Sequence, residues 1–111
     1  MEYTSIGKND LKISKFALGT WPFAGGELWG NQDDKDSISA VHESYENGIN
    51  FFDTAPLYGF GHSETILGQS LIGHRQNCII ASKVGFLDDG SYSLDKSSII
   101  SSLEASLERL K

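Results

Sequence analysis

The sequence has no run of lysines or arginines, no long apolar stretch and a single cysteine, and each absence removes a class of function. Nine lysine and arginine residues stand against fifteen aspartate and glutamate, for a formal net charge of -6 over 111 residues. Nucleic acid and anionic membrane surfaces both need a positive footprint, so the composition speaks against either partner and for a small ligand. No segment approaches the roughly 20 apolar residues of a membrane span, and the N-terminus lacks the basic start and apolar core of a signal peptide. A cytoplasmic location is the expectation. Cys78 has no partner for an internal disulfide, and in the run C-I-I-A it reads as a small buried thiol rather than a nucleophile. His42-Glu43 opens the zinc pattern H-E-x-x-H, but the fifth position is Glu46, so no metal site is expected. His62 and His74 read as surface or loop residues. There is no low-complexity segment and no internal repeat beyond an alternation of strands and helices.

That alternation organises the chain. Residues 3 to 6 and 11 to 14 are short alternating runs separated by G-K-N-D, which suits an antiparallel hairpin. Phe16 to Thr20 is a short apolar run, stopped where Pro22 forbids a further ladder hydrogen bond. The loop Gly25 to Asn31 that follows holds three glycines and Trp29, and is either a flexible lid or a wrapped surface loop. Asp33 or Asp34 caps a helix running to about Asn47, with Ile38, Val41 and Tyr45 on its apolar face and Gly48 ending it. Ile49 to Asp53 reads as a parallel strand buried on both faces. Ser63 is expected to cap a second helix that carries Ile66, Leu67 and Leu71, with Glu64 in its first turn complementing the helix dipole and Gly73 ending it. Asn77 to Lys83 is the third parallel strand, and Ile99, Ile100, Leu103, Leu107 and Leu110 mark a third amphipathic helix.

Alternating strands and helices mean an α/β fold with a parallel sheet, either open and doubly wound or closed into an eightfold barrel. The open dinucleotide-binding kind needs G-x-G-x-x-G after its first strand, and Gly19-Thr20-Trp21 is not that. Gly59-Phe60-Gly61-His62-Ser63-Glu64 is nearer but lacks the last glycine and follows the wrong strand. Helix starts can hold phosphate, yet Glu64 in the first turn repels an anion, so this loop reads as turn geometry. A closed barrel needs about 250 residues. The chain also stops at or inside a helix, and three strands alone leave unpaired edges. It is therefore expected to be the N-terminal portion, residues 1 to 111, of a single barrel domain.

The chemistry-bearing residues gather at strand ends. Ile49 to Glu64 reads I-N-F-F-D-T-A-P-L-Y-G-F-G-H-S-E, with Tyr58 five residues past Asp53, and Lys83 ends the next strand. Neighbouring parallel strands lie about 4.8 Å apart, so Asp53 and Lys83 are expected to meet at one rim. Taken singly, Asp53 would serve as a turn cap and Lys83 as a solvated strand-end lysine. With Tyr58 they form a proton-handling trio. Here D-T-A-P-L-Y-G, followed by G-H-S-E and A-S-K, resembles the aldo-keto reductase superfamily. L-G-T-W at 18 to 21, W-G at 29 and 30, G-I-N-F-F-D at 48 to 53, E-T-I-L-G at 64 to 68 and S-L-E-R-L at 106 to 110 extend the likeness over nearly the whole chain. Its two-tryptophan N-terminal loop is similar to the bacterial and plant-like branch.

The resemblance implies a (β/α)8 TIM barrel closed at its bottom by a hairpin, of which this chain holds the first three βα units. It also implies reduction of small aldehydes and ketones with NADPH. Tyr58 is then the general acid. A free phenol has a pKa of about 10 and needs a nearby cation to stabilise its phenolate, which Lys83 supplies while Asp53 keeps the ammonium charged. Gly19, Thr20, Trp21 and Asp53 fall on the cofactor side, and Trp21, Trp29 and Tyr58 on the substrate side. A fourth catalytic residue, a histidine on the next strand, falls beyond Lys111, as do the segments that grip most of the cofactor's phosphates. Two other readings stand beside this one. Lys83 is a Schiff-base nucleophile in a barrel aldolase, or the chain is a cofactor-binding regulatory subunit on the reductase scaffold.

Overall fold

The computed structural model describes all of Met1–Lys111. The chain opens with a hairpin of strands β1 (Tyr3–Ser5) and β2 (Lys12–Ser14), paired antiparallel with Thr4 opposite Ile13. The hairpin is tied to the rest of the molecule by Asn50, the residue before the second sheet's central strand. Its side chain accepts from Ser14 N at 2.7 Å and donates to Lys12 O at 3.0 Å. Because Asn50 stands where that strand begins, the hairpin covers the amino-terminal end of the sheet and leaves the carboxyl end open.

The second sheet is parallel, with strand order β3 (Leu18–Gly19), β4 (Phe51–Asp53) and β5 (Ile79–Ala81). Its register sets Gly19 beside Asp53, and Asp53 beside Ala81. The strands are two or three residues long, shorter than the sequence pattern suggests, because pairing stops where side-chain and turn hydrogen bonds take over. Helices α2 (Asp34–Glu46), α3 (His62–Ser70) and α4 (Lys96–Leu110) follow the three strands in turn. Each strand and its helix make one βα unit, and helices α2 and α4 both pack on α3.

Burial in the sheet is one-sided. Phe52 is wholly buried under the helices, whereas Phe51 and Asp53, which point the other way, are half-buried. Burial on both faces is the expectation for this strand; within this chain the helices bury one face and leave the other half-buried. The core under the helices is Phe23, Val41, Phe52, Ile66, Leu67, Leu71, Cys78 and Leu110. Cys78 is a free, buried thiol in that core. Burial pushes its pKa up, against a smaller lowering by Arg75, so it stays protonated and inert.

Helix boundaries follow local chemistry. Asp33 caps α2, its carboxylate accepting from Lys35 N at 2.9 Å, and Gly48 at φ 89° turns the chain away after Asn47. Helix α3 departs from expectation. Its cap is Gly61 rather than Ser63, and the Ser63 hydroxyl is buried inside the first turn without a partner. It also ends at Ser70, ahead of Gly73. No helix is long and apolar enough to cross a membrane.

Candidate active site

Asp53, Tyr58 and Lys83 meet at the carboxyl rim of the parallel sheet. Asp53 is the last residue of β4, held there by ladder bonds on both sides: Thr20 N donates to Asp53 O and Thr54 N to Ala81 O, each at 2.9 Å. The chain then folds back on itself, with Tyr58 N donating to Ala55 O at 3.1 Å and Gly61 N to Pro56 O at 2.8 Å, which presents Tyr58 over the strand end. Lys83 lies two residues past β5 and its side chain reaches across the rim. Its Nζ donates to Asp53 Oδ1 at 3.0 Å and Oδ2 at 3.1 Å, to Thr54 O at 3.0 Å and to Tyr58 Oη at 3.2 Å.

An ammonium has three hydrogens and no lone pair. The carboxylate, the carbonyl and the phenol oxygen use all three, so Tyr58 Oη accepts from Lys83 and its own hydrogen is free to point elsewhere. Burial alone would lower the Lys83 pKa; its hydrogen bonds and charge interactions with Asp53 and Tyr58 outweigh that and raise it above the ordinary lysine value. A Schiff-base nucleophile must present a free amine. Lys83 is held as the opposite, a fully hydrogen-bonded cation, so the geometry disfavours the aldolase reading.

Tyr58 and Lys83 line an apolar cleft of about 310 Å³ whose other walls include Trp21, Leu57, Phe86 and Tyr92. Trp21 stacks on Tyr58, ring centroids 5.7 Å apart and planes 16° from parallel. Trp29, on the single helical turn α1 (Gly26–Trp29), meets Trp21 edge-on at 5.6 Å. The loop after β3 is thus wrapped onto Trp21 by a short helix. Trp29 lines a second cleft, which adjoins the first and shares Trp21 and Leu57 with it. Thr20 departs from expectation. It is wholly buried with its hydroxyl on Asp53 O at 3.1 Å, so its side chain braces the rim instead of facing a ligand. Gly19 does face outward, and a Cβ built on it meets nothing within 4 Å.

Two features of the site become clear only in the structure. Residues 85 to 93 form a small hairpin, closed by Leu87 N to Ser91 O at 2.9 Å and Ser93 N to Gly85 O at 3.0 Å, that brings Phe86 and Tyr92 to the cleft. The signal was present as Asp89-Gly90 between F-L and Y-S-L, a hairpin turn flanked by apolar residues. The second is Glu64, which stands in the first turn as expected and is wholly buried against Arg109, its Oε2 accepting from Arg109 Nε at 2.7 Å. No local pattern announces a partner 45 residues away. The histidines lie off the rim: His62 Nε2 is 2.7 Å from Asp34 Oδ1, His42 bonds Ser70 O, and His74 packs on Tyr45. No group of three or more His, Cys, Asp or Glu side chains converges in a way that could hold a metal ion.

The model of the aldo/keto reductase family matches residues 15–111. The chain belongs to that family. It is 40% identical over its full length to the aldo-keto reductase YhdN of Bacillus subtilis, and 34% identical over its full length to L-galactose dehydrogenase of Arabidopsis thaliana, covering 35% of each. A stretch covering 78% of it is 38% identical to the NADH-specific methylglyoxal reductase of Escherichia coli, covering 27% of that protein. The aldo-keto reductase AKR11C1 of Bacillus halodurans in its holo form superposes on 99% of the chain with a TM-score of 0.85 at 29% identity, over 36% of its own length. An aldo/keto reductase of Klebsiella pneumoniae in complex with NADP and acetate matches 89% of the chain at 25% identity and a TM-score of 0.71, over 32% of its own length. The expected architecture stands: this aldo-keto reductase chain carries three βα units of a TIM barrel behind its hairpin. It spans about a third of the length of the relatives it matches.

Proposed function

We propose that the chain carries the proton-delivering part of an NADPH-dependent carbonyl reductase site acting on small aldehydes and ketones. The observation that carries this reading is the engagement of all three Lys83 ammonium hydrogens by Asp53, Thr54 and Tyr58. Reducing a carbonyl to an alcohol takes a hydride at carbon and a proton at oxygen. Tyr58 and Lys83 handle protons and neither can give up a hydride, so the donor set fits a site completed by a nicotinamide. Bound reduced nicotinamide would supply that hydride. Gly19, Trp21 and Asp53 are the residues here that would hold its ring end, because Gly19 leaves open space and Trp21 offers an aromatic face beside it.

The chain's own steps follow from the rim. A carbonyl oxygen entering the cleft meets the free hydrogen of Tyr58, beside the apolar side chains of Trp21, Leu57 and Phe86. As charge builds on that oxygen, Tyr58 gives up its proton as general acid. Lys83 already donates to Tyr58 Oη at 3.2 Å, so the phenolate forms against a cation in place, with no reorganisation. Asp53 holds that cation charged and aimed. NADPH is preferred here over NADH as the family resemblance implies, and side-by-side assays decide between them. The test is oxidation of each cofactor, followed by absorbance, with an activated aromatic aldehyde and this chain beside Tyr58→Phe. Removing a positioned general acid costs on the order of 10²–10⁴ in rate. Turnover lost in the variant supports the assignment. Equal turnover in both overturns it for Tyr58, and no oxidation in either denies the activity to this chain by itself.

A further inference from the structure

Past Ala81 the sheet stops holding the chain. No backbone–backbone hydrogen bond involves Ser82, Lys83 or Val84, so the segment that carries Lys83 is anchored by side chains alone. One anchor is Lys83's own set of bonds at the rim. The other is Ser82, whose Oγ donates to Glu64 Oε1 at 2.6 Å.

Glu64 is wholly buried in the first turn of α3 and holds three donors. Besides Ser82, its Oε2 accepts from Arg109 Nε at 2.7 Å and from Ser106 Oγ at 3.3 Å, both on α4. Arg109 in turn lies across Gly61. A Cβ built there would sit 2.8 Å from Arg109 Cδ and 2.9 Å from Nε, and φ is 89°, so only glycine leaves room for the guanidinium. Gly61 is three residues past Tyr58 and its amide closes the turn that presents Tyr58. One buried ion pair therefore touches both segments that bear the proton-handling groups, from the side opposite the cleft.

We propose that Glu64 is a positioning residue for the rim: paired with Arg109, it fixes the Lys83 segment through Ser82 and seats the Tyr58 turn through Arg109 at Gly61. A buried carboxylate is expensive to keep dry, and replacing such a pair by apolar residues is often neutral for stability. What an apolar pair could not supply is a directional acceptor for Ser82, and that directionality sets where Lys83 Nζ lies. The inference rests on the reading of Asp53, Tyr58 and Lys83 as one hydrogen-bonded cluster.

The test uses the full chain with ¹³C-labelled lysine, its Lys83 signal assigned by Lys83→Arg, and follows the Lys83 ε-carbon through a pH titration beside a thermal melt. Wild type is expected to titrate above an ordinary lysine, as Asp53 and Tyr58 require. Ser82→Ala removes one hydroxyl and keeps the Glu64–Arg109 pair. It is expected to remain folded while Lys83 falls back toward the ordinary value, and Ser82→Thr, which restores a hydroxyl, is expected to bring it back. A folded Ser82→Ala whose Lys83 titrates as in wild type overturns the positioning role. A wild-type Lys83 that titrates as an ordinary lysine overturns the cluster itself, and with it the reading on which this inference rests.

Discussion

Two of the molecule's carboxylate–cation pairs lie in opposite surroundings. Asp53–Lys83, at 3.0 Å, has side chains 44% and 51% exposed; Glu64–Arg109, at 2.7 Å, has 0% and 24%. In the open rim, water screens the charges and competes for every hydrogen bond, so such a pair adds about 0–1 kcal/mol to stability. In the core, the surroundings cannot replace a lost partner, and removing one side strands the other at a cost of about 3–5 kcal/mol. The chain thus separates two duties. The wet pair is free to take part in chemistry because little of the fold depends on it, and the dry pair holds geometry because much does.

The sharpest way to break this contrast is Glu64→Ala. It leaves Arg109 facing a dry hole and is expected to lower unfolding free energy by about 3–5 kcal/mol in urea melts; a loss under about 1 kcal/mol would erase the distinction between the pairs. Gly68→Ala attacks the same region without touching a charge. Its Cβ would stand 2.3 Å from Arg109 O and 2.9 Å from Leu110 Cα, both backbone, so α4 must back away from α3. The expected loss is about 1–3 kcal/mol by overpacking. Lys83→Met is the counterpart at the rim, with stability changed by about 1 kcal/mol or less and, on the proposed function, loss of any carbonyl reduction that wild type shows. A large stability loss there would mean that the rim pair also holds the fold.

The smallest expected effect is on pH dependence. The Lys83 pKa is higher folded than unfolded, so its contribution to stability is complete below the ordinary lysine value of 10.5 and is lost as pH rises through the folded pKa. Melts from neutral pH into that alkaline window are expected to lose this increment in wild type and not in Lys83→Met. Buried Cys78 has the same sign, since its thiol pKa is also raised from 9.0, and so contributes equally to both chains' alkaline loss. Its slow alkylation in the folded state, against fast reaction in urea, checks the burial directly.

The features legible in the sequence are those whose cause is local. Asp33 capping α2 and Gly48 ending it are read from residues one turn apart. The rim trio was legible for a related reason: a strand end, a turn and the next strand end place Asp53, Tyr58 and Lys83 together whatever the rest of the chain does, and the resemblance to a known family rests on the same motifs. The Ser63 cap failed because Gly61 had already reached a left-handed conformation that starts the helix two residues sooner. Burial of β4 is complete on one face only, because the side chains that fill a closed barrel's interior come from all eight strands and this chain carries three.

By itself, then, the sequence determined the alternation of strands and helices, the carboxyl-end placement of Asp53, Tyr58 and Lys83 and the family to which the chain belongs, because propensity, capping and register act over a few residues. The tertiary structure decided how those groups are held. It buried Glu64 against Arg109 across 45 residues, turned Thr20 inward, set Trp29 edge-on against Trp21 and brought Phe86 and Tyr92 to the cleft. A charged or aromatic side chain has no local signature of its partner. Its environment is set by which helix packs over which strand, and that is known only when the chain has closed on itself.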